Sequence, residues 1–350
     1  MSIPQTARQY EVHAAGSVEG LKLVDVQVPK PKSTEVLVKI RAVSLQYRDL
    51  LVVNGAYPAP VLDNVVPGSD MAGDVVSVGE DVAEWAVGDR VMANFYPDLL
   101  HEDAMSPEII GNTLGAAVNG VLAEYRVFPA HGLVAIPDHL SYEEASTLPC
   151  AALTAYNALI DGFEQVKAGD TLLIQGTGGV SIFGLQFAVA SGATTIVISS
   201  SDAKLAVATK LGARHTINYA TTPDWDAEVL RLTNGRGVDR VLEVVGNSSL
   251  RKSIAATRLG GSIDILGFLG GLDTEAAVDI IGPSIWKQLK IRGLSVGSVA
   301  QLKAMTRLMA ANTETTRPVV DKVFAWAAAR DAFAYMQAQN HVGKVVVRVA

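Results

Sequence analysis

The stretch Thr171 to Ser201, TLLIQGTGGVSIFGLQFAVASGATTIVISSS, restricts the possible folds more than any other part of the chain. A short apolar run, Thr171 to Gln175, has the length of a buried strand and stops at Gly176-Thr177-Gly178-Gly179. Val180 to Ala190 is apolar almost without a break, as a helix buried against a sheet requires, and Ser191-Gly192 closes it. Thr194 to Ile198 is apolar or β-branched throughout and reads as a second strand. Strand, glycine turn, helix and strand in that order form a βαβ unit, the setting in which a glycine loop cradles phosphate.

Gly176 and Gly178 let the backbone turn tightly and approach a pyrophosphate. The phosphate charge would lie on free N–H groups at the start of the helix, from Thr177 through Gly179 to Val180. Ser181 stands where a GxGxxG fingerprint has its third glycine, and Ser181, Gly184 and Ala188 line up small residues at helical spacing. The unit therefore predicts dinucleotide binding. A carboxylate at the end of the second strand would select NAD by bonding the ribose 2′-OH. Here Ser199-Ser200-Ser201 follows, with Lys204 nearby, and hydroxyls beside an ammonium suit a 2′-phosphate, so NADP(H) is favoured over NAD(H). Asp202 leaves NAD open.

At 350 residues the chain has room for about two domains. Its 49% hydrophobic and 19% charged residues exclude disorder, and a net charge of -7 offers no footprint for nucleic acid or an anionic membrane. One cysteine, Cys150, excludes an intrachain disulfide and a multi-cysteine zinc site. No basic-then-apolar leader opens the chain and no apolar run approaches the ~20 residues of a membrane span, so a cytoplasmic protein without membrane partners is expected.

Before the glycine turn, residues 1 to about 130 read as β structure. Leu21 to Val28, Glu35 to Val43, Asp74 to Val78, Asp89 to Ala93 and Gly120 to Phe128 are predicted strands between Gly and Pro breaks, the pattern of a small barrel. Ser141-Tyr142-Glu143-Glu144 is a capping box opening a helix that Pro149 ends or bends, and Leu153 to Ile160 continues helically. Beyond the turn, Ala203 to Leu211 reads as a helix, His215 to Asn218 and Val238 to Val245 as strands, Leu250 to Leu259 as a helix and Ser262 to Gly267 as a strand. That alternation predicts a doubly wound parallel sheet. The last fifty residues carry two helical stretches and the strand Lys344 to Val349, which must pair back onto the first domain.

Together Pro67-Gly68-Ser69-Asp70-Met71-Ala72-Gly73, Gly88-Asp89-Arg90-Val91, Leu148-Pro149-Cys150-Ala151, the glycine turn and Gly343-Lys344-Val345-Val346 resemble the medium-chain dehydrogenase/reductase superfamily, over nearly the whole chain. The resemblance implies an α/β protein with a GroES-like catalytic domain from 1–150 and 296–350, a Rossmann domain from 151–295, and homodimers joined at the Rossmann sheet edges. The zinc-dependent branch has cysteine, histidine and cysteine where this chain has Gln46, Ser69 and Cys150. An amide and a hydroxyl are poor zinc ligands, Asp49 and Asp70 are the only carboxylates beside them, and 98–121 lacks the structural-zinc cysteines. The six histidines are scattered. No metal is expected, and Cys150 reads as a small buried residue.

The zinc-free branch implies reduction of quinones and activated double bonds with NADPH, hydride adding at the β carbon before protonation at the α carbon or oxygen. Tyr57, in Gly55-Ala56-Tyr57-Pro58, matches the acid tyrosine of enoyl reductases in the superfamily, with Tyr47 second. Gln46 could hydrogen-bond a substrate carbonyl, and Phe95 matches a substrate-pocket aromatic. Arg48 and Asp49 read as a structural ion pair. For the cofactor, the resemblance places Thr154 beside the nicotinamide, Val245, Gly246 and Asn247 on the adenosine side, and Lys204 with Tyr219 about the ribose phosphate. Gly267, Phe268, Leu269, Leu294 and Val296 would approach the carboxamide. Two other readings stay open: an NADP-dependent alcohol or aldehyde oxidoreductase, and a protein that binds NADPH without turnover.

Overall fold

A computed structural model describes residues 3–162, 164–271 and 278–349. The chain divides into two compact units, one made of Met1–Leu153, Val296–Thr313 and Arg317–Ala350, the other of Thr154–Ser295 with Glu314–Thr316.

The second unit is built on six parallel strands. The chain enters at the centre with Thr171–Gln175 and moves outward through Thr194–Ser199 to His215–Asn218. It then crosses back to Val238–Glu243 on the other side of the first strand and runs outward through Thr257–Ile265 to Lys290–Gly293. This reversal between Thr171–Gln175 and Val238–Glu243 is the switch point at which doubly wound sheets hold ligands. Leu172, Leu173 and Ile174 are fully buried because both faces of the sheet are covered. The helix Gly179–Ala190 buries Ile182, Phe183, Leu185 and Phe187, each contributing about 1.5–3 kcal/mol. It lies so close to the sheet that a Cβ on Gly184 would come within 2.4 Å of Leu242 Cδ1, which is why a small residue recurs on that face.

One boundary differs from the sequence expectation. The helix before the fifth strand spans Asn247–Ala256 and the strand begins at Thr257, whereas the sequence predicts helix to Leu259. Arg258 donates from Nε to Asp239 Oδ1 (2.5 Å) and Thr257 pairs with Val238, so long-range bonds draw these residues into the sheet.

In the first unit the ten-residue strand Glu35–Ser44 pairs with Asp70–Val78 along one side. On its other side the first half pairs with Tyr125–Pro129 and the second half with the C-terminal strand Lys344–Arg348. Both ends of the chain thus complete one seven-stranded sheet, and the terminal strand does pair back onto the first domain. Thr6–Val12 and Val320–Ala325 are strands that sequence reading overlooked, since neither has a clean alternation of apolar residues. The core joins Val36, Val38 and Ile40 to Met71, Phe128, Phe333 and Val347. The Ser141 capping box forms as expected, with Glu144 N–H donating to Ser141 Oγ (3.2 Å) and Ser141 N–H to Glu144 Oε2 (2.9 Å). No described helix is long and apolar enough to cross a membrane.

Candidate active site and nucleotide site

At the switch point, the first strand ends on Gln175 and the chain turns at Gly176, whose φ of +73° disfavours a side chain. Gly176 N–H donates to Ile198 O (2.7 Å), fixing the turn to the second strand. Gly178 caps the helix without a side-chain hydrogen bond, and a Cβ built on it would meet nothing within 4 Å. An open face above first-turn N–H groups is the cradle a pyrophosphate fits. Ser181 donates its hydroxyl to Gln175 O (2.6 Å), so this residue in the third-glycine place fastens helix to strand. Thr177 is buried, and Gly179 and Val180 are half-buried in the same first turn.

Beneath the turn lies a network that sequence reading missed. Glu243, fully buried at the end of the fourth strand, accepts at Oε1 from Val245 N–H (2.9 Å), Gly246 N–H (3.0 Å) and Ser249 Oγ (2.7 Å). Its Oε2 accepts from Gln175 Nε2 (2.8 Å) and Ser253 Oγ (2.5 Å), while Gln175 Oε1 accepts from Val244 N–H (3.2 Å). A buried carboxylate satisfied five ways thereby ties the two strands flanking the switch point and shapes 244–247. The signal was a polar residue ending each of two buried runs, TLLIQ and VDRVLE.

The predicted cofactor residues gather at the carboxyl ends of these strands. Leu269 N–H donates to Val244 O (3.1 Å) and Gly246 lies against Phe268, so Val245, Gly246 and Asn247 adjoin Gly267, Phe268 and Leu269. Leu294 N–H donates to Ile265 O (3.1 Å) just past the last strand. Val296, in the first unit, holds φ at +55° although β-branched and buried, a strained backbone of the kind found at ligand sites. Tyr219 N–H donates to Ser199 O (3.0 Å), and Lys204 begins the helix that Ser201 caps, which brings Ser199, Ser200, Lys204 and Tyr219 to one corner. Asp202 there accepts from Asn218 Nδ2 (2.8 Å). Thr154 is buried in the helix Leu153–Leu159, and no contact described here ties it to the glycine turn.

In the first unit, Gln46, Ser69 and Cys150 converge on Asp70. Gln46 Nε2 and Cys150 N–H donate to Asp70 Oδ2 at 2.6 and 3.0 Å, and Ser69 Oγ donates to Asp70 Oδ1 at 2.6 Å. Cys150 lies in a wide π turn, Leu148–Ala152, and is partly rather than fully buried. Lys344 donates to Leu45 O (2.5 Å), and Asp49 accepts from Arg48 Nη1 (3.1 Å) and Gln46 N–H (2.8 Å). Burial raises the Asp49 and Asp70 carboxyls, Asp70 to about 6, lowers the Lys344 ammonium, and with the Asp70 charge pushes the Cys150 thiol well up. A protonated thiol, an engaged amide and a donating hydroxyl do not fit zinc, which binds thiolate, imidazole or carboxylate. Among the described residues no three His, Cys, Asp or Glu side chains are grouped to hold a metal.

Tyr57 is half-buried and packs against the core, Phe95 is buried, and the Arg48 guanidinium lies 4.9 and 5.2 Å from their ring centres. Tyr47 is more exposed, at 37%, on the first turn of Tyr47–Val53. Tyr57 and Phe95 are therefore brought together around Arg48, a residue the sequence marked only as half of an ion pair.

The raised Asp70 carboxyl has a consequence for stability. A folded-state value near 6 against an unfolded one near 4 means that protonation favours the fold. This contribution is complete below about pH 4 and lost as pH rises through 6, amounting to about 3 kcal/mol. Asp70→Asn should flatten the change in urea midpoint between pH 5 and 8; an unchanged slope would rule out Asp70 as its source.

The chain is 44% identical over 347 residues to a zinc-type alcohol dehydrogenase-like protein of Schizosaccharomyces pombe, spanning 98% of this chain and 99% of that one. The alcohol dehydrogenase GroES-like domain matches residues 32–138, and the zinc-binding dehydrogenase family matches 179–311. The chain belongs to the medium-chain dehydrogenase/reductase superfamily. The solved structure of a putative alcohol dehydrogenase from Sinorhizobium meliloti superposes with a TM-score of 0.90 at 36% identity, covering 99% of this chain and 100% of that one. An acryloyl-coenzyme A reductase of Metallosphaera sedula is 28% identical over 341 residues, 95% of this chain and 97% of its own. As a medium-chain dehydrogenase/reductase the protein is an NAD(P)-dependent oxidoreductase, with a GroES-like unit and a Rossmann unit.

Proposed function

We propose that this oxidoreductase is a zinc-independent, NADPH-dependent reductase of α,β-unsaturated carbonyl compounds or quinones. The observation that carries the reading is the self-satisfied cluster in which Gln46, Ser69 and Cys150 all donate to Asp70 at the position where the zinc branch has its ligands. With those groups engaged, the acceptor must be polarised by hydrogen-bond donors and fixed charge. Preference for NADPH is supported by the corner holding Ser199, Ser200 and Lys204, which has no carboxylate ending the second strand and whose Asp202 is engaged by Asn218.

Bound NADPH would supply the hydride that adds to the β carbon. Gly176–Val180, Val245–Asn247 and Gly267–Leu269 would hold and orient it. Tyr57 is the proton donor this reading assigns, since its hydroxyl is a neutral donor and the Arg48 charge beside it favours negative charge developing on the acceptor oxygen. Gln46, tied to Asp70, has a positioning role and not a direct one.

The test is to quantify metal in the purified protein, then follow NADPH and NADH oxidation with an enone and a quinone before and after chelation. Turnover that survives chelation and favours NADPH supports the reading; activity that needs stoichiometric zinc overturns it. The S. pombe relative favours a second reading, oxidation of simple alcohols with NADP, which the same assay run in reverse would detect. NADPH binding without turnover on any acceptor would mark a non-catalytic protein.

A homodimer is proposed as well. The edge strand Lys290–Gly293 ends the sheet, and Ile281, Ile285 and Trp286 in the preceding helix are 66–82% exposed. Light scattering should give twice the chain mass, and Trp286→Lys should shift it toward the monomer.

A further inference from the structure

Arg48 carries a feature that an ion pair with Asp49 does not explain. Its Nη1 donates to Asp49 Oδ1 (3.1 Å) and Leu114 O (2.9 Å), which fixes the guanidinium plane. Its Nε and Nη2 are buried and have no hydrogen-bond partner among the described residues, and the side chain is only 11% exposed. Burial opposes the charge, but Asp49 and Tyr57 outweigh it and hold the pKa above the ordinary arginine value, so the group stays a cation. Unmade hydrogen bonds on a buried cation are costly, and a fold keeps them where something else completes them.

The two unpartnered nitrogens form the side-on edge of the guanidinium, where two N–H bonds run parallel and match both oxygens of one carboxylate. Tyr57 and Phe95 clamp this group, their ring centres at 4.9 and 5.2 Å, so the edge is held rigid beside the proposed proton donor. We infer that Arg48 makes the acceptor a carboxylate-bearing one, binding its carboxylate side-on while Tyr57 protonates the reduced acceptor. The inference rests on the reductase reading and narrows it to unsaturated oxo acids and related enoates. The reaction balances as the proposed one does: hydride from NADPH adds at the β carbon, a proton completes the reduction, and the carboxylate is unchanged.

The probes are 3-benzoylacrylate and its methyl ester, which share the enone and differ in the carboxylate. Wild-type enzyme should show kcat/KM about 30-fold higher for the acid, as expected for a bidentate charge-assisted contact. In Arg48→Lys, which keeps the charge but loses the fork, the acid-to-ester ratio should fall about tenfold. Calorimetry with the saturated acid 3-benzoylpropionate and NADP should show a parallel weakening. An acid-to-ester ratio near one in the wild type, or one unaltered by Arg48→Lys, overturns the inference and leaves the reductase reading standing. If neither probe nor any other enone or quinone is reduced, that reading falls and this inference with it. Should Arg48→Lys not fold, the wild-type ratio and 3-benzoylpropionate binding still decide.

Discussion

Gly178→Asp should abolish nucleotide binding without harming the fold. The backbone at Gly178 is extended, with φ −74° and ψ −176°, a conformation any residue adopts, and an added Cβ meets nothing within 4 Å. Gly178 is also the cap of Gly179–Ala190, a position where aspartate is preferred over glycine by a few tenths of a kcal/mol. The apo protein should therefore melt at the wild-type temperature or slightly above. The new carboxylate, however, would occupy the cradle offered to the pyrophosphate, and two like charges about 4 Å apart at an effective dielectric near 20 repel by about 4 kcal/mol. Titration of NADPH fluorescence should show Kd raised at least about 100-fold. A variant that binds NADPH as tightly as the wild type would mean that the turn does not hold the phosphates.

The second large effect is expected at Glu243, and it separates in the opposite sense. Replacing it with alanine leaves the Gln175 amide, the Ser249 and Ser253 hydroxyls and the N–H groups of Val245 and Gly246 without their acceptor in the interior. Stability should fall by about 3–5 kcal/mol in urea unfolding. Nucleotide affinity should fall with it, because 244–247 loses the group that shapes it. Glu243→Gln retains one acceptor oxygen and should lie between the two. A loss under about 0.5 kcal/mol in the alanine variant would show that water takes over those donors, and the network would then not be what fixes the turn.

The contrast between these residues explains what could be read without coordinates. Gly178 is legible because its neighbours in sequence are its neighbours in space: strand, turn and helix are contiguous, and the local pattern holds most of the relevant physics. The five bonds to Glu243 come from Gln175 and from 245–253, and the Gln175 contact spans 68 residues. A single polar letter at the end of an apolar run announces that something is satisfied there without saying by what. The helix assigned to Leu259 failed for the same reason, because Arg258 is claimed by Asp239, a partner outside any local window.

Local order and composition by themselves determined the doubly wound sheet, its phosphate-binding turn and the β unit completed by the C-terminal strand, since hydrophobic periodicity and glycine placement act over a few residues. Only the tertiary structure decided what Gln46, Ser69, Cys150 and Arg48 do. Asp70 becomes their common acceptor, and the side-on edge of Arg48 is left unpaired, through the approach of 45–57, 69–70, 95, 114 and 150 within the folded first unit. Desolvation and hydrogen-bond direction are properties of that packed arrangement, and no stretch of the chain carries them alone.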